Sequence, residues 1–439
     1  MLIEKETFYL LGIGGIGMSS IGRYLKLNGH NVYGYDREKS SITKSLEQLG
    51  VEISYKNSSD LIHPKLRNSE VIIIYSSAIS ESNSKLKFYR NNGNIIKKRA
   101  VFLSEICKNS ITIAIAGTHG KTTTSAILSH MFISDNKKVT AFIGGILNHY
   151  DTNLILKGND YFIVEADEFD RSFLFLNPEF GCITSIDQDH FDIYESEKEL
   201  FESFNQFSRL IKNKTVIESK VPFRGLKYGL NSNSDYIILN IEPTEKGFHF
   251  DLKTPSKEYR SLFFNQIGEH NLKNALCAIT LADQVGLNME KALDSLSSFS
   301  GVKRRMQIFN LGSKLLIDDY AHHPTEIRSV LETIQSNYSN KENCVIFQPH
   351  LFSRTKFLLN EFAYELGKFD NIFLLDIYAA REKKINGISS KLLLNEIENS
   401  SKKLINKNQI KEMIFNSKAE VFAMLGAGDI SLEVNKLLV

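Results

Sequence analysis

Short apolar runs rich in β-branched residues recur along the chain. They are FYLLGIG (8–14), VIIIYSS (71–77), ITIAIAG (111–117), YFIVEAD (161–167), CITSID (182–187), CVIFQ (344–348) and IFLLDIY (372–378). Each leads into glycine or polar residues and then a stretch of helical periodicity. Runs that are apolar on both faces predict strands of a parallel sheet covered by helices. Their alternation with helices predicts α/β architecture, repeated more than once. Residues 215–265 break the pattern: turn signals come close together and FHFDL (248–252) alternates with period two. This predicts antiparallel hairpins added to the middle of the chain.

At roughly 150 residues per domain, 439 residues suit about three domains. The expected division is 1–107, 108–303 and 304–439. The middle unit opens with the strand at Ile111, and the third starts around GVKRRMQ (301–307). Basic and acidic side chains number 53 and 51, a net charge of +2, which argues against a nucleic-acid binder relying on a strong positive field. Cys107, Cys182, Cys277 and Cys344 lie too far apart for a zinc or CxxC motif and read as reduced core thiols. No apolar stretch approaches the roughly 18 residues of a membrane helix, and no clear secretory signal opens the chain. The expected location is therefore the cytoplasm, with no membrane partner. The pattern fixes no oligomeric state.

The strongest local signal is ITIAIAGTHGKTTT (111–124). An apolar strand runs into Gly117, Thr118, His119, Gly120, Lys121, Thr122 and Thr123, then into a helix. A strand, a glycine loop and a helix opened by Lys-Thr make a phosphate cradle. Loop amides and the helix N-terminus supply positive potential, Lys121 neutralises phosphate oxygens, and the Thr122 hydroxyl can ligate Mg²⁺. The loop is shorter than GxxxxGK[ST], because Ile115 stands where the first glycine belongs. Glu165 and Asp167-Glu168 end the next strand. Asp187, Asp189, His190 and Asp192 follow the one after it. Such strand ends are where ligands bind in open α/β sheets, and carboxylates with an imidazole there suit Mg²⁺ ions at a nucleotide phosphate. Glu165 and His190 are the expected metal ligands beside Thr122.

At the N-terminus Gly12, Gly14, Gly15 and Gly17 end a strand and open a helix, and Asp36 follows the next strand. This matches a dinucleotide fingerprint, which serves NAD or any pyrophosphate, including that of a UDP-sugar. Ser76 and Ser77 end another strand at the same sheet edge. In the third unit Arg304, Asp319, His322, His323, Arg354, Tyr378 and Arg381 cluster after apolar runs. Arg354 and Arg381 are each able to grip a carboxylate or phosphate with two parallel hydrogen bonds.

GTHGKTTT, EADE, DHFD, GEHNLKNA (268–275) and DDYAHHPTE, in this order over essentially the whole chain, resemble the ATP-dependent Mur ligases. LGIGGIGM and the paired His322-His323 are similar to the alanine-adding branch of that family. The resemblance implies three domains: a Rossmann-like UDP-sugar domain, a central P-loop ATPase-type domain, and a C-terminal Rossmann-like domain for the amino acid. It implies ligation of L-alanine to the lactyl carboxylate of UDP-N-acetylmuramate, using ATP and two Mg²⁺ ions. The recycling branch, which adds a tripeptide, is the alternative. By matched motif, Lys121, Glu165, His190 and His322 would be catalytic. Residues 117–123 with His270, Asn271, Asn274, Arg304 and Asp319 would bind ATP, and Gly12, Gly14, Gly15, Gly17, Asp36, Ser76 and Ser77 the UDP-sugar. His323, Arg354, Tyr378 and Arg381 would face the amino acid. Strand-end motifs in separate domains must converge, which predicts closure with hinges near residues 107 and 301–311.

Overall fold

The computed structural model describes residues 6–187, 194, 196–231, 233–380 and 382–438. Among them are three sheets, of five, ten and six strands. In the first, the parallel strands run in the order Glu52–Ser54, Asn31–Tyr35, Thr7–Leu11, Ile72–Tyr75, Ile96–Lys98. The chain therefore leaves the Thr7–Leu11 strand in both directions. That switch point puts the Gly12–Gly17 loop and Ser76 side by side at the carboxyl edge.

The middle sheet is parallel from Val139–Leu147 through Tyr161–Glu165, Ile111–Ala116 and Phe180–Ile183 to Thr215–Glu218 and Leu226–Gly229. Residues 112–116 are buried, as a central strand covered on both faces requires. The helix Lys121–Ser134 is buried nearly all round, between this sheet and the helix Glu269–Val285. The hairpin region differs from its expectation. Thr215–Glu218 and Leu226–Gly229 join the sheet in parallel, and the antiparallel meander starts only at Tyr236–Pro243, continuing through Phe248–Lys253 and Glu258–Phe264. The cause is the helix Glu197–Leu210, which carries the chain back across the sheet before Thr215 and so sets the strand direction. An edge strand, Thr152–Leu156, pairs antiparallel with Val139–Leu147.

The third sheet is ordered Gln307–Leu311, Lys314–Asp319, Val421–Leu425, Asn343–Phe347, Asn371–Leu374, Lys402–Leu404, with only the first pair antiparallel. It packs its own two cores.

The first and middle units share one core: Phe8, Leu10, Tyr24 and Phe102 belong to the same buried cluster as Phe142, Phe162 and Phe204. Tyr24 of the helix Ile16–Leu27 lies 5.5 Å from the Phe142 ring and 6.4 Å from Phe162. Buried Asn153 of the edge strand donates to Ile16 O at 2.7 Å and Ser19 Oγ at 2.9 Å. The third unit meets the middle one through polar side chains around the phosphate loop, and Ile267 of the middle unit packs into the third unit's core. No helix of the described residues is long and apolar enough to cross a membrane.

Candidate active site

The phosphate loop leaves the Ile111–Ala116 strand at Gly117, whose φ of +135° and lack of a side chain are both needed, because a Cβ there would collide with the Thr184 hydroxyl. Thr118 N donates to Ser185 O at 3.1 Å and His119 N to Ser185 Oγ at 2.9 Å. Thr118 Oγ1 accepts from Asp187 N at 3.0 Å, so the loop is fastened to the segment after Phe180–Ile183. Gly120 adopts φ +84° and starts the helix, with Asn274 Oδ1 where a Cβ would point. The Lys121 ammonium donates to Glu168 Oε2 at 2.7 Å and Oε1 at 3.0 Å, as well as to Gly117 O. Burial works against its charge, but Glu168 and then Asp167 outweigh it and hold Lys121 above the ordinary lysine value. Thr122 Oγ1 donates to Glu165 Oε2 at 3.1 Å, and Gly144 N donates to the other Glu165 oxygen. Burial raises the Glu165 carboxyl, with Gly144, Lys121 and Thr122 opposing.

Two chambers of about 400 Å³ each lie on either side of this loop. His119, Gly120, Thr122, Arg305 and Glu326 line both, so the chambers meet at the loop. The first is closed by Thr123, His270, Asn271, Asn274 and Asp319. Burial, then the Arg305 charge, push the His270 imidazole down to about 4, so it is neutral at pH 7. Burial pushes Asp319 up to about 6 against Arg305; its oxygens accept from Met306 N at 2.6 Å and Ala321 N at 2.7 Å.

The second chamber is a cleft among all three units. Gly15, Gly17, Ser76 and Ser77 come from the first, Lys121, Glu165 and Glu168 from the middle, and Tyr320 and His322 from the third. Ion pairs hold the first two units together at its floor: Arg99–Asp167 at 3.3 Å and Lys98–Asp170 at 3.2 Å, with Ser77 Oγ donating to Asp170 at 3.0 Å. Beyond His322 the rings of His350 and Tyr378 follow, with centroid separations of 6.1 and 5.8 Å, and Arg354 is 3.1 Å from His350 Nδ1.

Three family profiles match in chain order. They are the Mur ligase family catalytic domain over residues 7–110, the Mur ligase middle domain over 115–282, and the Mur ligase glutamate ligase domain over 304–431. The chain belongs to the Mur ligase family. It is 44% identical over 437 residues to the UDP-N-acetylmuramate–L-alanine ligase of Christiangramia forsetii, covering 98% of this chain and 97% of that one. The same-named protein of Flavobacterium psychrophilum is also 44% identical, over 98% and 96% of the two chains. Among solved structures, the UDP-N-acetylmuramate–alanine ligase of Thermotoga maritima superposes with a TM-score of 0.84 at 26% identity, covering 98% of both chains. A murein peptide ligase from Psychrobacter arcticus shares the fold at TM-score 0.74 and 21% identity, over 99% and 98% of the chains.

In this Mur ligase several expected residues lie elsewhere than the chambers. Arg304 adopts φ +61° and turns its guanidinium onto Gly426 O and over the Tyr320 ring, while the neighbouring Arg305 faces both chambers. Asp36 accepts from Gly14 N and Arg37 N, each at 2.7 Å, so its carboxylate braces the glycine loop. Gly12 lies beneath that loop, donating to Tyr35 O at 2.8 Å. His323 is buried, caps the helix Pro324–Asn337 and packs 5.1 Å from the His119 ring. His190 and Arg381 lie outside the described residues.

Glu326, Arg305 and Gly144 carry site contacts for which the sequence gives no role, and Glu168, one of the strand-end carboxylates suited to Mg²⁺, pairs instead with Lys121. Pro324 followed by Glu326 is a helix-start signal. The Gly144-Gly145 pair inside a strand signals close approach, here by Glu165 and Thr122. Nothing local distinguishes Arg305 from Arg304.

Hard oxygen donors converge at Thr122 and Glu165, which fits Mg²⁺. Among the described residues no group of three His, Cys, Asp or Glu forms a ready-made metal cluster.

Proposed function

We propose that this enzyme joins L-alanine to the lactyl carboxylate of UDP-N-acetylmuramate, with ATP converted to ADP and phosphate. The observation that carries the reading is the meeting of two chambers at one phosphate loop, one suited to a nucleotide and the other walled by all three units. The alanine-adding acceptor is supported by the 44% identity over nearly the whole chain to ligases of that name.

In this reading the base of ATP lies near neutral His270, with Asn271 and Asn274, and its phosphates lie over the helix N-terminus at Gly120–Thr122. Gly15, Gly17, Ser76 and Ser77 take the UDP-sugar and turn its lactyl carboxylate toward the loop. A carboxylate oxygen attacks the γ-phosphorus and the bond to the β-phosphate oxygen breaks, leaving ADP and an acyl phosphate. The amine of alanine, once deprotonated, attacks the acyl carbon, and phosphate departs with the former carboxylate oxygen. Lys121 contributes charge where negative oxygens crowd, which requires it to exchange Glu168 for phosphate. Mg²⁺ held by Thr122, Glu165 and His190 would neutralise the phosphates. His322 lines the cleft and His350, Tyr378 and buried Arg354 follow it in contact; in this reading that row receives the amino acid, with Arg354 suited to its carboxylate. ATP and a nucleotide sugar as substrates put the reaction in the cytoplasm.

Phosphate release from ATP, Mg²⁺ and UDP-N-acetylmuramate tests this, adding amino acids singly and the tripeptide separately. Release that depends on L-alanine, with the alanyl product seen by mass, is expected. Release with the tripeptide alone would move the enzyme to the recycling branch.

A further inference from the structure

Glu326 divides its two carboxylate oxygens between two units of the chain. Oε2 serves its own unit: it accepts from His322 N at 2.9 Å and His323 N at 3.3 Å, closing the capping box that opens Pro324–Asn337, and lies 3.2 Å from His322 Nδ1. A cap of this kind needs one oxygen. Oε1 reaches the other way, to His119 Nδ1 at 3.2 Å, with Arg305 Nη1 at 3.9 Å. The second His119 nitrogen faces Asp187 Oδ2 at 3.2 Å, at the end of the middle sheet. The imidazole in the phosphate loop is thus clamped between one carboxylate of its own unit and one carried by the third. The contact lies where the two chambers meet.

We propose that the His119–Glu326 contact is the latch through which docking of the third unit sets the phosphate loop, making Glu326 a positioning residue for phosphoryl transfer. The proposal rests on the ligase reading above. His119 lies between Thr118 and Gly120, its own amide is held by Ser185, and Gly120 opens the helix, so the His119 contact bears on the turn that leads into the helix N-terminus. With the third unit undocked, His119 retains Asp187 alone. ATP is then consumed only when the unit that brings the amino acid is in place. A residue that merely capped its helix would have no reason to spread its second oxygen toward another unit.

Glu326→Gln separates the two roles. The amide keeps one carbonyl oxygen for the cap and presents an NH₂ group to His119 in place of an acceptor. Steady-state kinetics of the full chain, E326Q, H119N and the double variant should show each single change lowering kcat at least tenfold, with KM for the UDP-sugar unchanged. The double variant should lose no more than the worse single one, since both remove the same contact. Additive losses, or a wild-type kcat in E326Q, would overturn the latch. A substrate-free readout keeps it testable if the ligase reading fails. Amide hydrogen exchange over residues 117–121 should accelerate about tenfold in E326Q, while 324–337 stays as in the wild type. Faster exchange confined to 324–337 would mean that Glu326 is a cap and nothing more.

Discussion

The Lys121 ammonium lies 2.7 Å from Glu168 Oε2, and that carboxylate is only 1% exposed. In the proposed reaction Lys121 therefore exchanges a built-in anionic partner for phosphate. Lys121→Ala should reduce turnover by 10²–10³, about 3–4 kcal/mol of transition-state stabilisation. It should also destabilise the fold by about 3–5 kcal/mol, because the buried Glu168 carboxylate loses the Lys121 cation. Adding Glu168→Gln should recover most of the stability and none of the turnover. Urea denaturation and phosphate release on the three proteins check both parts, and an unchanged unfolding midpoint in Lys121→Ala would refute the first.

Gly120 combines φ +84° with Asn274 Oδ1 in the direction of a side chain. Gly120→Ala forces a left-handed alanine, at a cost of about 1–2 kcal/mol, and also pushes on Asn274, which lines the chamber proposed for the nucleotide. Nucleotide affinity should fall tenfold or more, with UDP-sugar affinity unchanged. Calorimetric titration of each ligand against the variant reads the two separately.

Closure was expected to hinge near both 107 and 301–311, but the apolar core is continuous across the first position. Asn153 also ties the edge strand of the middle sheet to the helix that follows the glycine loop. Motion should therefore concentrate at 301–311. With dyes on all three units, an ATP analogue plus UDP-sugar should change energy transfer to the third unit only. A comparable change between the first and middle units would show that their shared core opens.

His119 has a pH signature. Burial alone would depress its pKa, but Asp187 and Glu326 push it up to about 9 from an ordinary value of 6.5. A raised folded value means the native state holds the extra proton. The contribution is therefore fully present below pH 6.5 and is lost as pH rises toward 9. The difference in melting temperature between the wild type and H119N should be largest near pH 6 and shrink by pH 9–10. A difference that grows with pH would contradict the clamped imidazolium.

Much of this site was legible because parallel sheets put ligands at strand ends. Apolar patterning placed Gly117, Glu165 and Asp187 at strand ends, and the glycine loop and carboxylates there pointed to phosphate chemistry. What stayed hidden depends on contacts between units. Arg305 faces the chambers and Arg304 does not because of one positive φ and the carbonyl of Gly426, far away in sequence. Asp36 matched a ribose-binding position by spacing, yet its carboxylate is taken up by the Gly14 and Arg37 amides. Glu326 has no role in the sequence reading, since its contact with His119 comes from another unit. The direction of Thr215–Glu218 likewise follows from the preceding crossover helix and not from its own residues.

If phosphoryl transfer activates the sugar carboxylate, one of its oxygens must leave with the phosphate, and oxygen tracing reads this. UDP-N-acetylmuramate labelled with ¹⁸O in the lactyl carboxylate, turned over with ATP and L-alanine, should deliver one labelled oxygen into each phosphate released. Phosphate free of label, with alanyl product still forming, would contradict the acyl-phosphate route.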